Sequence, residues 1–321
     1  MVSNNTPTVF IVLGVYNPNL ELFERQLNSL LAQSFTSFHV LLTLDGPQAD
    51  EVIALATSFQ DERIQLLNHA NNVGVHENFA RGLRAALEES QKEDDLFAFC
   101  DQDDVWHQDK LVRQVEFMGK HAECGLCHCD ARVVDERGKI VSPSLFTYER
   151  RSTRFGLLDL LVMNSVTGMT ALATKNIAEL ASPFPLSGTP EILHDHWLAL
   201  VAAAASKVMW LEQPLVDYVQ HDANQLGAQP SARIGARSSK SVFLGHVYRR
   251  RCARQYEWRR AAFTALSNIG EKPGNLRAAN ITGWSGGPRL LWRMVSAWFS
   301  GEARQSAQVW RLLAGKLLGV R

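Results

Sequence analysis

The chain has no long hydrophobic run and no basic segment near its start. Its longest aliphatic run, Leu198 to Ala205, has eight residues, whereas a helix that crosses a bilayer needs about 20 apolar residues. The apolar stretch Val9 to Val15 has no basic residues ahead of it and no small-residue cleavage site, so we expect no secretion signal. The sequence therefore predicts a cytoplasmic protein without a membrane-spanning helix.

The formal net charge of the chain is zero, but its two parts carry charge of opposite sign. Residues 1–229 carry 16 Lys and Arg against 30 Asp and Glu, whereas residues 230–321 carry 17 against 3. A hydrophobic content of 46% excludes a disordered chain. The length suits one large domain with an appendage, and we expect the two parts to meet different partners.

Cysteine is scarce, and three of the five cysteines lie in Cys124-Gly-Leu-Cys127-His128-Cys129. A CxxCH sequence attaches haem in exported chains, and three cysteines with a histidine can ligate zinc. The sequence holds no second CxxC or HxxxH to complete a zinc site. The alternative, which we favour, is a strand over residues 125–134 that buries small thiols on one face.

Short apolar runs alternate with amphipathic segments over the first 130 residues. The predicted strands are 9–15, 40–44, 64–67 and 96–100, and the predicted helices are 20–31, 49–59, 76–89 and 110–121. This alternation is typical of an α/β protein with a doubly wound, mostly parallel sheet flanked by helices. Ligands of such sheets bind beyond the carboxyl ends of the strands.

After residue 130 the pattern is less regular. We expect a strand ending at Val134, helices at 155–163 and 193–205, and strands at 169–173, 207–211 and 215–219, the last two separated by Pro214. Residues 222–240 have a linker-like composition. We therefore assign one domain to residues 1–225, and a linker with basic amphipathic helices to residues 226–321.

The acidic turn Asp101-Gln102-Asp103-Asp104 directly follows the predicted strand 96–100. Carboxylates this close repel one another, so a cation beside them would offset the cost. Mg²⁺ or Mn²⁺ takes one or two protein carboxylates and leaves positions for phosphate oxygens, which suits a nucleotide diphosphate. The alternative is a solvated acidic turn ahead of the helix 110–121.

Three other predicted strands end in polar or glycine-containing turns, and all these ends should meet at one rim of the sheet. The turns contain Tyr16-Asn17, Asp45-Gly46 and Asn72-Val73-Gly74, with Asn78 in the helix that follows. An aromatic ring for a base, a carboxylate, amides for a ribose and acidic residues for a metal would together form a nucleotide site. Taken alone, each of these segments is equally well explained as an ordinary turn or helix cap that binds no ligand.

Taken in order, these motifs resemble the family-2 glycosyltransferases with the GT-A fold, in particular bacterial rhamnosyltransferases. The resemblance covers residues 8 to about 225 and continues through Thr167-Gly168-Met169-Thr170, His194-Asp195-His196-Trp197 and Tyr218-Val219-Gln220-His221. It implies an inverting, metal-dependent enzyme. Such an enzyme would move a sugar, L-rhamnose from dTDP-L-rhamnose, onto a hydroxyl of a bacterial cell-surface glycan or glycolipid acceptor.

The resemblance also implies a role for individual residues. Asp195 would be the catalytic base, and Asp101, Asp103 and His221 would hold Mg²⁺ or Mn²⁺. The nucleotide-sugar would contact Tyr16, Asn17, Asp45, Asn72, Gly74, Asn78, Asp101, Gln102 and Trp106. Many members of the family have an acidic residue and a serine after the position of Asp45, where this chain has Gly46-Pro47.

The basic C-terminal part is rich in tryptophan and predicts amphipathic helices at residues 289–299 and 305–321. Residues 241–321 would suit attachment to an anionic membrane surface, where each Lys or Arg contributes about 1 kcal/mol. This would make the protein peripheral on the inner face of the cytoplasmic membrane. The alternative is packing on the catalytic domain or on a second copy in a homodimer. We expect no nucleic acid partner, because no binding motif accompanies the charge.

Two other functions fit part of the pattern. A sugar-nucleotide pyrophosphorylase also uses a doubly wound sheet and carboxylate-bound Mg²⁺, but it needs a glycine-rich basic loop after the first strand. This chain has Val15-Tyr16-Asn17-Pro18 there. A non-catalytic binding or scaffold protein could also have kept the fold, although the joint presence of Asp101, Asp103, Asp195 and His221 argues against it.

Overall fold

A computed structural model describes residues 6–182, 184, 193–221, 228, 246–269, 309 and 312, and gives only the backbone of residues 246–256. The strands are β1 (Val9–Val15), β2 (Phe38–Leu44), β3 (Ile64–Asn68), β4 (Leu96–Cys100), β5 (Val105–Trp106), β6 (Cys124–Asp135), β7 (Ile140–Ser142), β8 (Ala171–Thr174) and β9 (Lys207–Gln220). The helices are α1 (Leu20–Leu31), α2 (Asp50–Ser58), α3 (Val75–Glu89), α4 (Lys110–Lys120), α5 (Leu145–Glu149), α6 (Leu157–Val162), α7 (Lys175–Ala181), α8 (His194–Ala205) and α9 (His246–Ser267).

One sheet contains these strands in the order β3-β2-β1-β4-β8-β6-β9-β5, with β7 paired to β6 outside this path. The long pairings of β1 with β2, β1 with β4, β2 with β3, and β6 with β9 are parallel. The shorter pairings of β8 and β5 are antiparallel. The predicted α/β fold, a mostly parallel sheet flanked by helices, is confirmed. The carboxyl ends of β1, β2 and β4 lie at one edge.

Hydrophobic side chains cover both faces of the sheet. Along β1, Phe10 and Val12 belong to the cluster that contains α3 and α8, whereas Ile11 and Leu13 belong to the cluster that contains α1. A strand buried on both faces needs apolar residues at every position, which explains the continuous run in the sequence.

Helix α3 approaches β1 closely because residue 82 is a glycine. A Cβ atom at Gly82 would lie 2.3 Å from Cγ1 of Val12. One turn earlier, Phe79 packs edge-on against Phe99 of β4, with ring centroids 5.3 Å apart. The close approach therefore fixes α3, and the loop that precedes it, against the sheet.

The prediction of two strands separated by Pro214 is wrong. Residues 207–220 form the single strand β9, which pairs in parallel with β6. The register shifts between Cys129 and Asp130, and Pro214 lies opposite Asp130. Such an irregularity accommodates a proline, which has no N–H to donate to the neighbouring strand.

The predicted strand at 169–173 begins later than expected. Gly168–Thr170 form a 3-10 turn, and β8 covers Ala171–Thr174. In this turn the backbone N–H of Gly168 donates a hydrogen bond to Asp195, in the first turn of α8. No local sequence pattern encodes this long-range contact.

The strand predicted for the cysteine cluster is confirmed. Cys124, Cys127 and Cys129 lie in β6 and are buried. Burial raises the pKa of Cys124 and of Cys129 to about 11, so both thiols stay protonated and pack as small apolar groups. Among the described residues, no three His, Cys, Asp or Glu side chains group closely enough to hold a metal ion.

Helix α9 packs on the domain that contains the sheet. Trp258, Ala262 and Leu266 join the hydrophobic cluster that contains α8. The guanidinium of Arg259 is buried and donates to the carbonyls of Leu161 and Val162 at the end of α6. A cation there satisfies helix carbonyls that have no partner within the helix.

Val309 and Leu312 are buried against Val162. In this part of the basic region, packing on the domain is therefore the observed arrangement. The predicted helix at 289–299, most of 305–321 and most of the linker 222–240 lie outside the described residues. No described helix is long and apolar enough to cross a membrane, and contact of residues 241–321 with a membrane surface stays a prediction.

Candidate active site

The turn after β1 is joined to the acidic turn after β4. The backbone N–H of Tyr16 donates to Oε1 of Gln102 at 2.8 Å, and Nε2 of Gln102 donates to the carbonyl of Tyr16 at 3.2 Å. The Tyr16 residue is 52% exposed. The reciprocal pair holds the backbone and leaves the phenol ring at the open rim, where a planar base can stack on it.

Gln48 organises the turn after β2. Its Oε1 accepts from the N–H of Asn17 at 2.8 Å, and its Nε2 donates to the carbonyls of Asp45 and Gly46 at 3.3 and 3.1 Å. Asn17 has a φ of 41°, a conformation that asparagine tolerates better than most residues. Sequence reasoning identified Asn17 but missed Gln48, because a glutamine two residues after Asp45-Gly46 has no motif of its own.

Asp45 is buried, and its carboxylate orders the loop before α3. One oxygen accepts from the N–H of Val73 at 2.7 Å and the other from the N–H of Gly74 at 3.0 Å. Gly46 has a φ of 82°, and a Cβ there would lie 2.8 Å from the backbone nitrogen of Asn72. The turn after β2 therefore packs closely against the loop before α3. Asp45 and Gly74 order this loop, and Asn72 within it is exposed at the rim.

Two predicted nucleotide contacts lie inside the protein. The Asn78 amide donates to the carbonyl of Thr43 and accepts from its hydroxyl, both at 2.8 Å. Trp106 is buried, with Nζ of Lys110 3.4 Å from its ring centroid. We therefore correct these two predictions: Asn78 joins α3 to β2, and Trp106 packs in the hydrophobic core, so neither side chain reaches the rim.

The acidic turn is tied to the end of β9 at two points. Oδ2 of Asp103 lies 2.7 Å from Nε2 of His221, and Oδ1 of the buried Asp104 accepts from the N–H of Val219 at 3.0 Å. The structure thus brings together two of the three predicted metal ligands, Asp103 and His221, and Asp101 lies in the same turn.

The electrostatics of the turn favour a bound cation. Burial, followed by the charges of Asp103 and Asp195, raises the pKa of Asp101 to about 7. Burial raises the pKa of Asp104 well above its ordinary range. Carboxylate oxygens suit Mg²⁺ or Mn²⁺, so the carboxylates of the turn fit the predicted ion. Among the described side chains, no three of these donors are grouped closely enough to form a complete metal site.

Asp195 lies in the first turn of α8 and is buried. Its Oδ1 accepts from the N–H of His196 at 2.6 Å, and its Oδ2 accepts from the N–H of Gly168 at 3.2 Å. Burial is the largest influence on its pKa and raises it to about 6, although the two N–H donors lower it. An oriented carboxylate with a pKa close to neutrality suits a general base.

The two histidines that flank Asp195 are neutral core residues. His194 stacks on Phe79 with ring centroids 3.7 Å apart, and burial lowers its pKa to about 3. Nε2 of His196 donates to the carbonyl of Leu160 at 2.7 Å, and burial lowers its pKa to about 4. Of His194, Asp195 and His196, Asp195 is therefore the residue whose shifted pKa, about 6, lies closest to neutral pH.

Arg151 was missed by sequence reasoning and supports the loop over Asp195. Its Nη1 donates to Oγ1 of Thr167 at 2.6 Å and to the carbonyl of Ser165 at 3.2 Å, and its Nε pairs with Glu149 at 2.8 Å. Its charge lowers the pKa of Asp195, against the larger effect of burial. In the sequence it is one arginine of an adjacent pair, with no motif to mark it.

The fold is of the GT-A type, and the chain belongs to glycosyl transferase family 2, whose model matches residues 10–173. Curated relatives from Bacillus subtilis and Escherichia coli are 26–28% identical, and the chain spans 50–66% of their length. One is the UDP-Glc:alpha-D-GlcNAc-diphosphoundecaprenol beta-1,3-glucosyltransferase WfgD of Escherichia coli. It is 26% identical over 154 residues, which are 46% of this chain and 56% of WfgD.

Two solved structures share the fold. Residues 1–349 of S. aureus TarS, in complex with UDP-GlcNAc, match with a TM-score of 0.58 and 12% identity, covering 97% of this chain and 91% of TarS 1–349. The mannosyltransferase PcManGT from Pyrobaculum calidifontis, in complex with GDP-Man and Mn²⁺, matches with a TM-score of 0.54 and 15% identity, covering 98% and 87%. At these identities the likeness establishes the fold alone.

Proposed function

We propose that this protein is an inverting, divalent-metal-dependent glycosyltransferase that moves a sugar from a nucleotide donor to a hydroxyl of a bacterial cell-surface glycan or glycolipid. The observation that carries the proposal is the arrangement of the acidic turn. Asp103 meets His221 there, and the charge of Asp195 acts on Asp101, so residues from three distant parts of the chain share one edge of the sheet.

The donor would lie along the turns after β1 and β2. The exposed ring of Tyr16 is available to stack on the base, and the loop held by Asp45 presents Asn72 to the ribose. Asp101, Asp103 and His221 would hold the divalent ion. When bound, it would offset the negative charge that develops on the departing diphosphate.

Asp195 would accept the proton of the acceptor hydroxyl. As that proton transfers, the hydroxyl oxygen forms a bond to the anomeric carbon, and the bond from this carbon to the diphosphate oxygen breaks on the opposite face. A single displacement of this kind inverts the anomeric configuration. The N–H groups of His196 and Gly168 hold the carboxylate in one orientation, which lowers the cost of reaching the reactive geometry.

Among donors, the motif resemblance favours dTDP-L-rhamnose. The purified chain would be incubated with dTDP-L-rhamnose, UDP-glucose, UDP-GlcNAc and GDP-mannose, each with Mg²⁺, Mn²⁺ or a chelator, and nucleotide release would be measured. We expect slow, metal-dependent hydrolysis of one donor even without an acceptor. A thermal shift with a donor but no turnover would support a non-catalytic binding protein, and the absence of both would reject the proposed function.

We also propose that the catalytic unit spans residues 1–225 and that basic residues within 241–321 contact anionic lipid. The sequence charge of this region supports the second proposal. Flotation with vesicles of phosphatidylcholine and phosphatidylglycerol tests it: we expect the full chain to float at low salt and to be released at high salt. A chain that stays unbound at low salt would exclude the membrane contact.

A further inference from the structure

A cavity of about 540 Å³ lies between β6, β9 and the segment around α5. Six of the residues in its wall are charged or aromatic: Asp130, Phe146, Arg150, Arg151, Trp210 and Glu212. Its volume falls in the range of about 300–1,000 Å³ that is usual for small-molecule sites. None of the residues predicted to bind the nucleotide or the metal lines it, so the cavity is separate from the donor rim.

The cavity is connected to the proposed base through Arg151 and the turn at Gly168. Arg151 lines the cavity and donates to Thr167 Oγ1 at 2.6 Å. The next residue, Gly168, donates its N–H to Asp195 at 3.2 Å. The Arg151 side chain and the turn that contains Gly168 would therefore lie between a ligand in the cavity and the proposed base. The cavity is on the β6–β9 side of the sheet. The donor rim lies on the β1–β3 side.

The wall combines an aromatic surface with polar groups. Phe146 and Trp210 are stacked, with ring centroids 4.7 Å apart and planes 23° from parallel. Phe146 is buried, so it supports Trp210, which is partly exposed. The face of an aromatic ring is negative, so the Trp210 ring can attract the weakly positive C–H groups of a pyranose ring. Arg150 and Glu212 are exposed and can donate to and accept from sugar hydroxyls.

The charge of the wall favours an uncharged ligand. Its two arginines are matched in number by two acidic residues, and Arg151 is also paired with Glu149 at 2.8 Å. The carboxylate of Asp130 accepts from Ser144 and from the N–H of Leu145, so it belongs to the frame of the cavity. Among the described residues of the wall, no excess of positive charge is left to select a carboxylate or a phosphate.

We propose that this cavity binds an uncharged pyranose ring of the acceptor against the Phe146–Trp210 pair. This inference rests on the proposed glycosyltransferase function and deepens it, because it assigns the acceptor side of the site and the class of sugar that occupies it. Arg150 and Glu212 would select among sugars by the positions of their hydroxyl groups.

Saturation-transfer NMR on the full chain, without donor or metal, tests the assignment. The probes are the methyl pyranosides of glucose, galactose, mannose, N-acetylglucosamine and rhamnose, with methyl glucuronide as a charged comparison. We expect at least one neutral glycoside to bind and the glucuronide to bind less. Arg150→Gln and Glu212→Gln should each weaken binding about fivefold, which corresponds to one lost hydrogen bond.

Glu179→Gln, at an exposed position on α7 outside the cavity, is the matched control and should leave binding unchanged. Trp210→Leu should abolish binding, and a circular dichroism spectrum would show that this variant is folded. Binding of no neutral glycoside, unchanged binding in both polar variants, or preference for the glucuronide would each overturn the assignment. Because no turnover is measured, failure here with intact donor hydrolysis would reject the acceptor site and leave the proposed function standing.

Discussion

Asp103 and His221 are 118 positions apart in the sequence, yet Oδ2 of Asp103 lies 2.7 Å from Nε2 of His221. The contact joins the turn after β4 to the end of β9, across strands β8 and β6 of the sheet. The acidic turn therefore has a polar partner supplied by the far end of the domain. This relationship gives the proposed metal site its most direct test.

We expect His221→Ala to weaken Mn²⁺-dependent nucleotide binding at least about tenfold, because losses around metal sites commonly cost 10–100-fold in affinity. Asp103→Ala should act in the same direction. Isothermal titration calorimetry with UDP or dTDP, in Mn²⁺ and in a chelator, measures the effect.

The matched control is His107→Ala. His107 follows the same turn and pairs with Asp217 at 2.9 Å, but it is not among the proposed metal ligands. Its loss should leave Mn²⁺-dependent binding unchanged. An affinity that is equal in the wild type and in His221→Ala, or reduced equally by both histidine variants, would reject His221 as a ligand.

Asp195→Asn should slow sugar transfer by at least about 100-fold, since a positioned general base contributes roughly 10²–10⁴-fold. The amide is nearly the same size, so donor affinity should stay within about twofold. Initial rates of nucleotide release and calorimetric donor binding separate the two effects. Asp94→Asn, an exposed carboxylate in a turn, should retain full activity, and a comparably active Asp195→Asn would remove Asp195 from the role of base.

The rate of transfer should rise with pH through about 6. Burial raises the pKa of Asp195 to about 6, and only the deprotonated carboxylate can accept the proton. Below this pH the rate should fall about tenfold per unit, whereas above pH 7 it should level off. Profiles of kcat/KM between pH 5 and 8 at saturating Mn²⁺, with circular dichroism to verify folding, provide the measurement. A flat profile from pH 5 to 7 would contradict it.

Asp45→Asn should destabilise the loop before α3. The asparagine oxygen can replace one acceptor, but its NH₂ group would face the second backbone N–H, at Val73 or Gly74. A buried donor without an acceptor costs about 1–3 kcal/mol of unfolding free energy. Urea denaturation monitored by tryptophan fluorescence reports the loss, and nucleotide affinity should fall in parallel. Equal stability of Asp45→Asn and Asp94→Asn would show that these hydrogen bonds do not order the loop.

Gly82→Ala and Gly119→Ala should change the stability of the protein in opposite directions. A Cβ at Gly82 would lie 2.3 Å from Val12, whereas a Cβ at Gly119 would meet nothing within 4 Å. Overpacking should cost about 1–3 kcal/mol in the first variant, and better helix propensity should add about 0.5–1 kcal/mol in the second. Thermal melts of both variants test the prediction, and a Gly82→Ala variant as stable as the wild type would contradict it.

Much of the parallel half of the sheet could be predicted from the sequence. Continuous apolar runs such as Val9–Val15 and helical periodicity such as that of Leu20–Leu31 are local signals, and the observed elements follow them. The order of motifs at the strand ends also located the rim that holds Tyr16 and the acidic turn. Strand ends are local features too, because each lies where an apolar run stops.

Local signals were insufficient for the second half of the domain. Pro214 suggested a break, but a bulge in β9 between Leu211 and Pro214 lets the strand continue through it. Asn78 and Trp106 lie in motifs that resemble those of nucleotide sites, yet both side chains turn inward. Adjacency to a motif does not specify which way a side chain faces, because packing against Thr43 or Lys110 decides it.

By itself, then, the sequence determined the class of fold, the edge that carries the site and the residue types available there, since these depend on periodicity and on composition at strand ends. Only the tertiary structure decided which of those residues meet. The pairing of Asp103 with His221, the support of Asp195 by Gly168, and the hydrogen bond of Arg151 to Thr167 all join residues separated in the chain. Such contacts follow from how the sheet and helices pack, and no short stretch of sequence contains that information.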